Sequence, residues 1–74
     1  METGSLILYN DNVNSFEWVI ESLIEVCNHN VFQAEQCALL VHKTGKCNIK
    51  TGNKLELVSY RKELNKRGLK IKIV

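Results

Sequence analysis

Seventy-four residues, 45% of them apolar, suffice for one small domain with one thin core. The longest apolar runs, Leu6 to Tyr9 and Ala38 to Val41, are far too short to cross a bilayer. The net charge of +2 conceals an asymmetry: residues 1–42 hold six acids and no Lys or Arg, a formal −6, whereas residues 43–74 hold ten basic residues and two acids, a formal +8.

The opening residues show no charged stretch followed by an apolar one, so no secretory signal is expected. Three cysteines, an odd number, argue against a disulfide-stapled extracellular scaffold and for a reducing, cytoplasmic setting. With no Pro, no linker composition and no repeat, the chain divides only into a short tail, residues 1–5, and a single domain, residues 6–74.

In chain order, Leu6 to Tyr9 predicts a buried strand. Asn14, three residues ahead of Glu17, has the pattern of a capping box opening a helix. Phe16, Val19, Ile20, Leu23 and Cys27 then recur at helical spacing. Asn28-His29-Asn30 ends that helix, and Asn30 caps the next, whose buried face reads Ala34, Cys37, Ala38 and Val41. Gly45 suits the left-handed residue that closes it. Cys47, Ile49 and Thr51 alternate with polar residues as a half-buried strand. A turn at Thr51-Gly52-Asn53 leads to a third helix over roughly 54–67, with Leu57, Tyr60 and Leu64 on one side and Gly68 at its end. Leu69, Ile71 and Ile73 alternate with Lys70 and Lys72 as a last strand. The order β-α-α-β-α-β predicts an α+β fold: a two-layer α/β sandwich in which a small three-stranded antiparallel sheet is covered by three helices on one face.

The chemistry-bearing residues are few. Asn10, Asp11 and Asn12 stand where the first strand stops, and His42 stands in the last turn of the second helix. Together they offer several acceptors and one negative charge, the set that a small cation such as an α-ammonium needs. Each also has an ordinary role, as turn residues or as a histidine favoured by the helix dipole. Cys27, His29, Cys37 and His42 lack the paired spacing of a zinc site, and two of these cysteines belong to core faces. No nucleophile motif or phosphate-cradling loop is present, so neither an enzyme nor a cofactor is expected. The basic residues of the second half alternate with acids and lack aromatic stacking partners, which favours a solvated face over nucleic-acid binding.

Two segments resemble the ClpS family, the bacterial N-end rule adaptors: Leu8-Tyr9-Asn10-Asp11-Asn12 with Phe16-Glu17-x-Val19-Ile20, and Ala34-x-Gln36-x-x-Leu39-x-Val41-His42-x-x-Gly45-Lys46. The resemblance covers residues 6–46; beyond Cys47 a short gap separates this chain from typical members. It implies a non-enzymatic adaptor that captures substrates beginning with Leu, Phe, Tyr or Trp. The substrates would pass to a Clp-family AAA+ unfoldase through its N-terminal domain, of ClpA or ClpC type. It further implies that Asn10, Asn12 and His42 contact the α-amine, with Asp11 supplying charge. The hydrophobic pocket would be lined by Leu8, Asn14, Phe16, Val19, Ala38, Val41 and Leu69. A monomer, with no nucleic-acid or membrane partner, is expected. Asn12 replaces the second Asp of most members, and Phe16 and Ala38 replace common methionines, which reshapes the pocket. About five residues precede the first strand, where many members carry a mobile extension that engages the unfoldase. The competing readings are an interaction domain of the same fold without an amine pocket, resembling the C-terminal domain of a ribosomal stalk protein, and a basic-face nucleic-acid binder.

Overall fold

The computed structural model describes residues 2–74. Three strands and three helices follow one another as β1 (Thr3–Tyr9), α1 (Phe16–Cys27), α2 (Val31–Thr44), β2 (Lys46–Asn53), α3 (Lys54–Lys66) and β3 (Lys70–Ile73). The sheet order is β2-β1-β3, with β1 central and antiparallel to both neighbours. All three helices contribute to the core against one face of the sheet, which is the α+β sandwich that the sequence predicts.

Leu6 and Leu8 from β1, Leu23 from α1, and Leu57 and Leu64 from α3 are fully enclosed. Burying each such side chain stabilises the fold by about 1.5–3 kcal/mol. The small residues Ala34, Ala38 and Val41 form the buried side of α2. Their size lets that helix approach its neighbours closely.

Three local expectations are corrected. The first strand begins at Thr3, not Leu6, because Thr3, Gly4 and Ser5 pair with Asn53, Gly52 and Thr51. The residues expected to form a turn before α3 are therefore the end of β2, and Asn53 caps α3 by accepting from the Leu55 N–H at 2.9 Å. Thr51 does not continue the buried alternation of Cys47 and Ile49. The β1–β2 register shifts between Leu6 and Ile7, where Lys50 and Asn48 are the successive partners and Ile49 is the extra residue. Such a bulge reverses the phase of alternation beyond it. Thr51 consequently lies on the open side, where its hydroxyl is 3.3 Å from that of Ser5. His29 braces the irregularity: its Nε2 lies 2.9 Å from the Ile49 carbonyl oxygen. A carbonyl only accepts, so this nitrogen carries the ring proton.

The helix cap is the third correction. Ser15, not Asn14, caps α1, accepting from the Trp18 N–H at 3.1 Å. The other caps follow the sequence. Asn30 and Gln33 form a reciprocal capping box at the start of α2, and Gly45 closes it at φ 91°.

Candidate functional site

Asn14 is absent from the cap because its side chain is committed elsewhere. Its Nδ2 donates to both Asp11 carboxylate oxygens, at 3.1 and 2.9 Å, and to the Gly68 carbonyl at 2.9 Å. Asp11 Oδ1 also accepts the backbone N–H groups of Val13 and Asn14 at 2.9 and 3.0 Å. The loop after β1 is thus wound around one carboxylate and tied to the turn between α3 and β3. The Asn14 backbone N–H is the main influence holding the Asp11 carboxyl below its ordinary range, and Lys70 adds a smaller coulombic contribution in the same direction. An ionised Asp11 accepts all of these bonds; a protonated one does not.

At the other end of the loop, the Asn10 N–H donates to the Gly45 carbonyl at 2.9 Å. This bond fastens the end of β1 to the closing turn of α2, the turn that carries His42. The side-chain amides of Asn10 and Asn12 and the imidazole of His42 have no hydrogen-bond partner among the described residues. All three residues are exposed.

These groups border a cleft of about 500 Å³. Asn10, Asp11, Asn12 and Asn14 enter it from the loop, and His42 from α2. Phe16 and Val19, three apart on α1, and Ala38 and Val41, three apart on α2, supply its apolar walls. That spacing places each pair on one side of its helix. Phe16 is 43% exposed, a large ring at the rim, whereas Ala38 is 4% exposed and forms part of the floor. Leu8 and Leu69, also expected in the lining, lie deeper. Both are buried and border a separate space of about 20 Å³ that shares Asn10, Asp11, Asn14, Val19 and Val41 with the cleft. They support the floor without bordering the cleft itself.

Residues that hold this geometry from a distance were not anticipated in the sequence. The Trp18 indole N–H donates to the Arg67 carbonyl at 2.9 Å. The Arg67 guanidinium lies over the Trp18 ring and pairs with Glu25 at 3.1 Å. These bonds join the first and last turns of α1 to the end of α3. Trp18 falls outside the apolar period of α1, and that break was the one available signal.

Among the described residues no three His, Cys, Asp or Glu side chains are grouped to hold a metal ion. All three cysteines are free thiols. Burial pushes the Cys47 thiol up to about 12, with Cys37 beside it acting in the same direction. Burial raises the Cys27 thiol too. No helix among the described residues is long and apolar enough to cross a membrane.

A two-layer sandwich with a half-polar cleft between loop and helices defines a small binding module. The family model "ATP-dependent Clp protease adaptor protein ClpS" matches residues 2–72, and the chain belongs to that family of Clp protease adaptors. Among solved structures it is similar to Agrobacterium tumefaciens ClpS2 bound to L-phenylalaninamide. That structure has a TM-score of 0.89 and 18% identity, over 97% of this chain and 94% of the other. No curated protein matches the chain.

Proposed function

We propose that the cleft captures the N-terminal residue of a target protein by its free α-amine and its large apolar side chain. We further propose that the adaptor delivers such targets to a Clp-family AAA+ unfoldase through that enzyme's N-terminal domain, of ClpA or ClpC type. The observation that carries this reading is one concave site with unpaired acceptors from Asn10, Asn12 and His42 beside the apolar walls of Phe16, Val19, Ala38 and Val41. L-phenylalaninamide, the ligand of the Agrobacterium protein, has both a free α-amine and an apolar side chain.

An α-ammonium brings three donors and one positive charge. Asn10 and Asn12 accept through their amide oxygens and His42 through a neutral ring nitrogen, while Asp11 supplies the opposite charge from within the loop. Charge-assisted bonds of this kind contribute about 1.5–3 kcal/mol each. Burial of a Leu or Phe side chain adds about 1.5–3 kcal/mol. After ordering costs, these contributions correspond to affinity around the micromolar range. Unfolding and proteolysis belong to the partner, so the site requires no nucleophile and no cofactor.

The test is fluorescence anisotropy with labelled peptides beginning Phe, Leu, Tyr or Trp, each compared with its α-acetylated form. Micromolar binding that acetylation abolishes is the expected result. His42→Ala should weaken it at least tenfold with the melting temperature unchanged, since His42 is exposed and carries no internal bond. Equal binding of free and acetylated peptides would refute amine capture. It would instead favour an interaction domain without an amine pocket.

A further inference from the structure

The side of the sheet that faces away from the helices has a chemistry of its own. Alternation along β1 turns Ile7 and Tyr9 outward, and both remain partly exposed. Lys46 lies opposite Tyr9 on β2, and Lys70 and Lys72 lie opposite Tyr9 and Ile7 on β3. None of the outward positions on the three strands is Asp or Glu. Among the described residues none of these three lysines forms an ion pair. A shallow groove of about 360 Å³, bordered by Ile7, Tyr9, Leu40 and Lys46, runs between the sheet and the end of α2. Leu40 is 46% exposed there, without a partner to cover it.

We propose that this open sheet face docks an acidic segment of a partner protein, with an apolar side chain of the segment seated on Ile7, Tyr9 and Leu40 and its carboxylates met by Lys46, Lys70 and Lys72. Charge complementarity selects the occupant: three ammonium groups outside any ion pair around an apolar floor fit a ligand that is acidic and carries an aliphatic or aromatic anchor. Single-stranded nucleic acid fits less well. Tyr9 is the one aromatic side chain of the face, and the Lys72 ammonium stands 5.9 Å from its ring centroid, where a base would have to stack. A second copy docking by the same face would bring like charges together. The proposal is independent of amine capture, because the groove and the cleft share no lining residue.

The experiment uses an acetyl-capped octapeptide in which Glu and Asp flank Leu, labelled at its C-terminus. The control is the same peptide with Gln and Asn for the acids. Acetylation keeps both peptides out of the candidate amine site. At about 50 mM salt, where surface charges are weakly screened, the acidic peptide should bind at least tenfold more tightly than the control. Lys46→Gln, Lys70→Gln and Lys72→Gln combined should abolish that preference, and Leu40→Ser alone should weaken binding several-fold. Circular dichroism and the melting temperature should be unchanged in both variants. Equal affinity for the two peptides, or undiminished binding by the triple variant, would overturn the proposal. So would lysine-dependent binding of a twenty-nucleotide single strand without peptide binding, or lysine-dependent self-association in sedimentation velocity.

Discussion

Asp11 organises the loop on which the candidate site depends. Its carboxylate accepts two backbone N–H groups and the Asn14 side chain, so its charge orders the Asp11–Asn14 turn of that loop. The sign of the resulting pH dependence follows from the direction of its shift. The folded pKa lies below the ordinary value of 3.8. Loop order is therefore fully present above that ordinary value and is lost as pH falls below it, through the lowered folded pKa. Two-dimensional NMR should show the Val13 and Asn14 amides shifting together below about pH 4, with the core amides unmoved. Asp11→Asn should remove that transition, because an amide cannot titrate and turns a donor toward Asn14 Nδ2. Val13 and Asn14 amides that titrate identically in the variant would show that another group controls the loop. Asn14 illustrates the limit of reading a residue by its neighbours in sequence. The Asn14–Glu17 spacing is a valid capping pattern, but Ser15–Trp18 serves as the cap, since the Gly68 carbonyl, fifty-four residues away in sequence, claims the Asn14 amide.

At the scale of elements, the short-range signals proved legible and the long-range pairings did not. Helical periodicity, the Asn30 cap and the Gly45 stop were readable because each depends on atoms within a few residues. The bulge at Ile49 and the pairing of Thr3–Ser5 depend on how β1 meets a strand more than forty residues away, which no local pattern encodes. The cleft was legible to one layer of depth: the family resemblance named its walls but could not separate Ala38, which borders it, from Leu8 and Leu69, which lie beneath. Gly45 links helix closure to the candidate site, since its carbonyl holds the Asn10 N–H. A Cβ at that position would meet no atom within 4 Å, so the cost of a substitution is purely conformational. At φ 91° an L side chain is strained, by about 1–2 kcal/mol. Gly45→Ala should accordingly lower the melting temperature by roughly 4–16 °C for a domain of this size. Any drop in peptide affinity should accompany it, through displacement of Asn10. Calorimetry that found Gly45→Ala as stable as the parent would show that the turn relaxes to a right-handed conformation without loss.

Across the whole molecule, the charge asymmetry of the sequence becomes a division of surfaces. The loop and the first two helices, which frame the cleft, carry Asp11, Glu17, Glu21, Glu25 and Glu35, while the open sheet face carries Lys46, Lys70 and Lys72. Under the two proposals above, opposite charge on the two faces disfavours either ligand at the other's site. The acidic surround makes a further difference during approach, before any contact with Asn10 or His42. Exposed Glu17 stands beside Phe16 at the rim, and Glu35 lies one turn along α2 from Ala38. Fields of this kind change association rates by tenfold or more at low salt and act over about one Debye length, roughly 10 Å at 0.1 M. A peptide beginning Phe-Lys-Lys should therefore associate several-fold faster than one beginning Phe-Glu-Glu at about 20 mM salt. The two rates should converge to within about twofold at 0.5 M, where the Debye length is only a few ångströms. Stopped-flow anisotropy separates this from a contact effect, because a direct bond to the second or third residue would appear in the dissociation rate and survive high salt. A salt-independent difference would assign the preference to particular side chains on the rim, and equal rates at low salt would mean that Lys70, close enough to act on Asp11, already cancels the acidic field at the cleft mouth.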